Sequence, residues 1–164
     1  MLLDLKKIFS GESESCSFEY PLDLSSVDMN GVYPFVSPID VHGTVKSMDG
    51  SAQMDVKASF DFSIPCDRCA TEIHRHFSYS FSHVLVSSLE NEDDDRFVEV
   101  QDDKLDLDGL VREDILLELP TKFLCREDCR GLCPICGKNL NEGPCGCKVD
   151  SVDPRLEALK KLIQ

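Results

Sequence analysis

Alternation of apolar and polar side chains is the clearest pattern in this chain, and it predicts a sheet. From residue 54 to residue 64 every second side chain is apolar, and those between are polar. The apolar positions are Met54, Val56, Ala58, Phe60, Phe62 and Ile64. Because successive side chains of a strand point to opposite faces, this segment is predicted to be a half-buried strand.

Less regular alternation predicts further strands at residues 17–24, 39–45 and 73–85, and the short segment 97–100 is predicted to be one more strand. Pro21 places the first of them at a sheet edge, since proline has no N–H to donate to a neighbouring strand. Residues 65–69 interrupt the pattern between two long strands and are predicted to form the turn of a hairpin.

Helical signals are found in two other segments. Residues 109–119 are predicted to form a helix that Pro120 ends, and Asp108 is placed to cap the N-terminus of that helix. The side chains expected to face the core are Leu110, Val111, Ile115, Leu117 and Leu119. Asp153 is placed to begin a C-terminal helix, and residues 1–9 are expected to form a short amphipathic turn packed on the core.

These elements predict an α+β fold with an antiparallel sheet of about five strands, which could be partly barrel-like. Residues 1–120 are predicted to form the sheet domain with its helix. Residues 121–164 are predicted to form a cysteine-rich zinc module with the C-terminal helix, packed on the first part. The chain has 164 residues, which is enough for one ordinary domain and a small module.

The composition of the chain limits the cellular compartment and the kinds of partner that we expect. No apolar run approaches the roughly 20 residues of a membrane-spanning helix, and the N-terminus lacks the features of a secretory signal. We therefore expect a cytoplasmic protein. Lys and Arg number 17 against 31 Asp and Glu, a net charge of −14. Such a surface repels phosphate, which disfavours broad contact with RNA or membrane and favours a basic partner.

Most of the excess negative charge lies in residues 90–118. This stretch holds 13 acidic and three basic side chains, a net charge of −10. Near its start, Asp93, Asp94 and Asp95 are the candidate contacts for a basic partner. The alternative interpretation is a solvated loop that contributes only solubility.

Nine cysteines point to metal chemistry. Cys66 and Cys69 form a C-x-x-C motif, and Cys16 stands alone. The other six fall within 23 residues: Cys125, Cys129, Cys133, Cys136, Cys145 and Cys147. An odd number of cysteines in a chain without a secretory signal fits poorly with a closed set of disulfides.

Spacing favours two zinc sites of four cysteines each, because tetrahedral zinc takes four soft ligands and a C-x-x-C turn supplies two. One site would combine Cys133, Cys136, Cys145 and Cys147. The remaining four, Cys66, Cys69, Cys125 and Cys129, would form the other. Different partitions remain open, and an iron–sulfur cluster is the weaker alternative because thiolates bind iron as well as zinc.

Other chemistries fit less well. Cys129, Cys133 and Cys136 have the spacing of radical S-adenosylmethionine enzymes, but those enzymes need a large barrel of alternating strands and helices. Cys66 follows a strand and a proline, whereas thioredoxin-like chemistry needs a cysteine at a helix N-terminus. No nucleophile triad, paired-carboxylate pocket or phosphate loop is visible, so neither enzymatic activity nor a small-molecule substrate is predicted.

Four motifs, in order along the chain, resemble those of one family. They are Cys66-Asp67-Arg68-Cys69 between two long strands, the Leu-rich segment 113–120 ending in Leu-Pro, residues 129–141 with Cys145-Gly146-Cys147, and residues 153–159. This order is similar to that of the YceD family, the large ribosomal RNA subunit accumulation proteins, in its cysteine-rich bacterial form. The resemblance covers about residues 15–163.

The resemblance implies a cytoplasmic, non-enzymatic factor needed for accumulation of 23S rRNA and so for building the large ribosomal subunit. Together with the acidic charge, it predicts binding to a basic large-subunit ribosomal protein or a pre-50S particle, with little affinity for free RNA. The alternative function is a zinc-dependent redox-sensing or metal-handling protein, whose cysteines would cycle to disulfides or release metal.

Overall fold

Two compact units make up the chain in the computed structural model, which describes residues 1–88 and 97–147. The first, called the sheet unit below, comprises Met1–Ile64 and Ile73–Thr121. The second, called the cysteine unit, comprises Pro65–Glu72 and Lys122–Gln164. The hairpin turn therefore groups with the C-terminal part of the chain, whereas the predicted domain boundary at residue 120 left it in the first domain.

The sheet unit contains seven strands and two α-helices within the described residues. In chain order they are β1 (Leu2–Asp4), α1 (Lys6–Phe9), β2 (Ser15–Leu22), β3 (Ile39–Met48), β4 (Ser51–Pro65), β5 (Glu72–Val86), β6 (Phe97–Glu99), β7 (Lys104–Asp106) and α2 (Leu107–Glu118). One five-stranded sheet has the order β2-β3-β4-β5-β6, and β1 pairs with β7 in a separate two-stranded sheet. The α+β class and the five-stranded sheet are confirmed.

The five-stranded sheet is open and mixed. It has β2, which contains Pro21, at one edge and β6 at the other, so it does not close into a barrel. Strand β3 pairs antiparallel with both β2 and β4. Strand β6, however, runs parallel to β5. A parallel neighbour requires a long return connection rather than a tight turn, and ten residues separate Val86 from Phe97.

Aromatic rings fill the core beneath β4. Phe60 and Phe62 are almost completely buried, and the ring centroids of Phe35 and Phe62 are 5.2 Å apart. Phe77 of β5 lies 5.7 Å from Phe60. Full burial of one such side chain contributes about 1.5–3 kcal/mol. The alternating segment of β4 is therefore the main hydrophobic face of the sheet unit, as the sequence pattern indicates.

Glycine is required where β3 passes under an aromatic ring. Gly43 pairs with Phe18 on one side and Val56 on the other, without a break in register. A Cβ at this position would lie 2.5 Å from the Phe18 ring and 2.6 Å from the backbone oxygen of Asp55. The hydrogen atom of glycine thus lets Phe18 cover the sheet.

The N-terminus and α2 differ from their predicted forms. Residues 2–4 form β1 rather than part of a turn, although Ile8 of α1 is buried as expected. Because β7 leads directly into α2, the helix begins at Leu107, and the predicted cap Asp108 instead bonds the N-terminal amino group of Met1. Leu117, predicted to face the core, is 85% exposed.

A hydrogen-bonded histidine–aspartate pair joins α2 to the sheet. Nε2 of His83 in β5 lies 2.8 Å from Oδ2 of Asp114, and both side chains are largely buried.

The predicted C-terminal helix lies outside the described residues. Within the part of the chain that is described, no helix is long and apolar enough to cross a membrane.

Candidate metal centres

Four cysteine sulfurs meet in the first group, two from the turn after β4 and two from the segment after Thr121. Its members are Cys66, Cys69, Cys125 and Cys129, and their Sγ atoms all lie within 4.8 Å of one another. The Sγ atoms of Cys66 and Cys129 are 3.8 Å apart, and those of Cys69 and Cys125 are 3.6 Å apart. A disulfide bond would require about 2.0 Å, so these are four separate thiols in contact.

The second group is built on a tight knuckle. Its members are Cys133, Cys136, Cys145 and Cys147, with Sγ atoms again within 4.8 Å of one another. Gly137, at φ 72°, closes the knuckle by donating its N–H to the carbonyl of Cys133 at 2.9 Å. The two groups have the same members as the two sets formed from spacing in the sequence.

The sulfur geometry suits one tetrahedral ion in each group. Four thiolates at about 2.3 Å from a central ion stand about 3.8 Å from one another, which matches the separations in the first group. Cys66, Cys69 and Cys129 are buried, whereas Cys125 is exposed. Four protein ligands complete a tetrahedron and leave no position for a reacting water, which is typical of structural centres. Both groups could therefore hold a metal ion.

The two residues inside the first C-x-x-C motif fix the distant segment that supplies the other two thiols. Asp67 donates its N–H to the carbonyl of Phe123 at 2.9 Å and accepts the Phe123 N–H on its carboxylate at 2.7 Å. The guanidinium of Arg68 donates to the carbonyl of Cys129 at 2.9 Å. Both motif residues thus clamp the backbone beside a ligand.

Asn141 connects the loop of the second group to a ligand of the first. Its Nδ2 donates to Sγ of Cys129 at 3.3 Å, and its Oδ1 accepts the N–H of Arg130 at 2.8 Å. The donated hydrogen bond from Asn141 is the main cause that lowers the pKa of the Cys129 thiol. The same donor would stabilise a metal-bound thiolate at Cys129.

Backbone N–H groups favour the thiolate at one cysteine of each group. Burial raises the pKa of Cys66, but N–H donors outweigh it, including that of Cys125 at 3.4 Å, and lower the pKa to about 6. At Cys133 the N–H of Cys136 is the largest of several donors that lower the pKa to about 6.

One other thiol in each group has a raised pKa instead. Cys125 is exposed as a residue, but its sulfur faces the other three thiols. Desolvation of that sulfur, together with contact to the thiol of Cys69, raises the pKa of Cys125 to about 12. Contact with Cys136 raises the pKa of Cys147 to about 12. Thiols this close together compete for negative charge, because each thiolate disfavours the next. A bound cation removes that competition and allows all four to ionise.

The spacing of the cysteines did not predict the roles of the polar side chains around the sulfurs. The Asp-Arg pair inside the first C-x-x-C motif was a visible signal, but its hydrogen-bond partners lie more than 50 positions away. Asn141 carried no signal of its own. The acidic residues Asp93, Asp94 and Asp95 lie outside the described residues, so their role stays a prediction.

Comparison with known proteins gives the family. The family described as "Large ribosomal RNA subunit accumulation protein YceD" matches residues 54–163, a span that contains both sulfur groups. The chain belongs to the YceD family. No solved structure gives a significant match.

Bacterial and plant relatives share parts of this YceD-family sequence. YlbN of Bacillus subtilis is 30% identical, over 92% of this chain and 90% of YlbN. The protein ML1660 of Mycobacterium leprae is 35% identical over 54% of this chain and 42% of its own length. A chloroplastic protein of Zea mays, named large ribosomal RNA subunit accumulation protein YCED homolog 1, is 24% identical over 92% of this chain and 62% of its own length.

Replacing Asp67 tests whether its carboxylate fixes the ligand segment of this YceD-family protein. Asp67→Ala removes the acceptor for the Phe123 N–H, and such a bond contributes about 1–2 kcal/mol. We expect the Phe123 amide to exchange with solvent about tenfold faster, as measured by hydrogen–deuterium exchange. Asp67→Asn keeps an acceptor oxygen and should retain most of the protection. Equal exchange in the parent and Asp67→Ala would show that this contact is not a clamp.

Proposed function

We propose that this protein is a non-enzymatic factor for accumulation of 23S rRNA and so for biogenesis of the large ribosomal subunit. Membership of the YceD family carries the proposal, because the family is named for large ribosomal RNA subunit accumulation. The maize relative, which aligns with 92% of this chain, bears the same name. The proposal places the protein in the compartment in which the large subunit is assembled.

Each sulfur group is proposed to hold one zinc ion in a structural role. All four Sγ atoms of each group lie within 4.8 Å of one another, which suits a single ion better than an iron–sulfur cluster several atoms across. The lowered pKa values of Cys66 and Cys133 do not favour a redox role, because N–H donors to sulfur also stabilise a metal-bound thiolate.

A basic large-subunit ribosomal protein is the proposed partner. Residues 90–118 carry a net charge of −10, and their described part exposes Glu99, Asp102, Asp106, Glu113 and Glu118. Asp114, in contrast, is paired with His83. Each zinc with four thiolates adds two more negative charges relative to neutral thiols. A surface of this sign attracts a basic protein and repels phosphate.

Removal of the protein from cells tests the proposed function directly. We expect the ratio of 23S to 16S rRNA to fall, since the large subunit would accumulate less. The parent protein and Cys16→Ser should restore the ratio, because Cys16 belongs to neither sulfur group, whereas Cys66→Ser should not. Quantification of both rRNAs gives the measurement. An unchanged ratio in cells that lack the protein would refute the proposal.

Metal content tests the two centres independently of ribosomes. Native mass spectrometry of the purified protein should show two zinc ions. Cys66→Ser and Cys145→Ser should each retain one zinc in excess metal, the double variant none, and the control Cys16→Ser both. An iron–sulfur absorption spectrum would contradict zinc, and loss of the same ion in both single variants would contradict the two groups.

Removal of acidic side chains tests whether the partner is basic. Replacing Asp93, Asp94 and Asp95 with Asn should slow association with purified pre-50S particles and flatten its salt dependence, because opposite charges steer encounter. Zinc content should not change. The control replaces three exposed acids outside this stretch with Gln: Glu12, Glu14 and Glu19. Equal kinetics in both variants, or tight salt-sensitive binding of free 23S rRNA by the parent, would contradict the proposed contact.

A further inference from the structure

A short backbone hairpin joins the two sulfur groups within the cysteine unit. The chain leaves the first group at Cys129, forms the knuckle of the second group, and then returns beside its own path. Leu132 and Asn139 form an antiparallel bridge, and the N–H of Leu140 donates to the carbonyl of Gly131 at 2.9 Å. The hairpin closes at the knuckle itself, where the N–H of Cys133 donates to the carbonyl of Lys138 at 2.8 Å.

The returning strand of this hairpin ends at Asn139 and leads into a 3-10 turn, Leu140–Glu142, in which the side chain of Asn141 is held on three sides. Its Nδ2 donates to Sγ of Cys129 at 3.3 Å. Its Oδ1 accepts the backbone N–H of Arg130 and a guanidinium N–H of Arg126, both at 2.8 Å. Its own backbone N–H donates to Oδ1 of Asn139 at 3.0 Å. The amide therefore has one orientation, with its donor towards sulfur.

A second chain of contacts runs from the same strand to another ligand of the first group. Nδ2 of Asn139 donates to Oγ1 of Thr71 at 3.4 Å. Oγ1 of Thr71 lies 3.2 Å from Sγ of Cys69. The returning strand and the turn after it thus reach two of the four sulfurs of the first group, and the position of that strand is set by the knuckle of the second group.

We propose that Asn141 is a positioning residue that couples the two metal centres, so that zinc at the second centre raises the affinity of the first centre for zinc. This inference rests on the proposed function, in which both groups bind zinc. Zinc at the second centre would order the hairpin, and the ordered hairpin would present the Asn141 donor to Cys129. By thermodynamic reciprocity, zinc at the first centre then raises the affinity of the second by the same factor.

The coupling is tested by measuring the affinity of the first centre for zinc in four proteins. They are the full-length parent, Asn141→Asp, Cys145→Ser and the double variant, each reduced, freed of metal and titrated with Zn²⁺ against a competing chelator. Protection of Cys129 from alkylation, mapped by mass spectrometry, reports zinc at the first centre. Asn141→Asp keeps the acceptor for Arg126 and Arg130 but replaces the donor to sulfur with a carboxylate oxygen.

We expect Asn141→Asp and Cys145→Ser each to weaken zinc binding at the first centre about tenfold or more, the usual effect of losing a hydrogen bond to a metal ligand. The double variant should be little weaker than the more severe single variant, because both changes break the same connection. Asn141→Ala should reproduce the loss without adding a charge. Glu142→Gln is the matched control, since Glu142 belongs to the same turn and takes part in it through its backbone N–H.

Two results would overturn the coupling. One is an unchanged first-centre affinity in Cys145→Ser, and the other is a double variant in which the two losses multiply, since independent effects combine in that way. Failure of the parent to bind any zinc would instead refute the proposed metal centres, and this inference with them. Binding of two zinc ions with no mutual effect would refute the coupling alone.

Discussion

Contacts among sulfur atoms, rather than packed hydrocarbon, hold the cysteine unit together. In its described part the buried side chains are Cys66, Cys69, Cys129, Cys133 and one aromatic ring, Phe123. So small an apolar core cannot offset the conformational entropy lost when the segment becomes ordered. The fold of this unit therefore depends on whatever stabilises its thiolates. A metal ion bound by the four sulfurs of each group would make metal binding and folding one process. The sheet unit has no such dependence, because aromatic rings fill its core.

The first C-x-x-C turn shows how a short motif can organise a distant segment. Its two cysteines supply sulfur, while Asp67 and Arg68 bond the backbone at Phe123 and Cys129. Close approach matters as well: a Cβ on Gly131 would lie 2.9 Å from the carbonyl oxygen of Arg68. Arg68 of this motif thus has a structural role, since the fixed donors of its guanidinium reach a carbonyl that a mobile ammonium group would hold less well.

A feature could be predicted from the sequence where a local pattern determines it, and could not be predicted where tertiary contacts determine it. Strand β4 was predictable because eleven residues alternate without exception, and the cysteines were predictable because ligand spacing is a local property. Strands β1 and β7 have three residues each, too few for any period to appear. The parallel direction of β6 and the contact of Asn141 with Cys129 depend on tertiary neighbours that no local pattern reports. The prediction for Leu117 was wrong because residues two apart in an α-helix point about 200° apart, so a helix that buries Ile115 turns Leu117 towards solvent.

The separation of the ligands along the chain has a consequence for biosynthesis. Cys69 and Cys125 are 56 positions apart, so at about 5–20 residues per second a ribosome needs roughly 3–11 s to make the second after the first. Throughout that interval the first two thiols have no partners from downstream and are open to oxidation or to a foreign metal. The sheet unit, in contrast, is complete at Thr121. The nascent chain can therefore finish its hydrophobic core before the last of the cysteines that could hold a metal ion have been made.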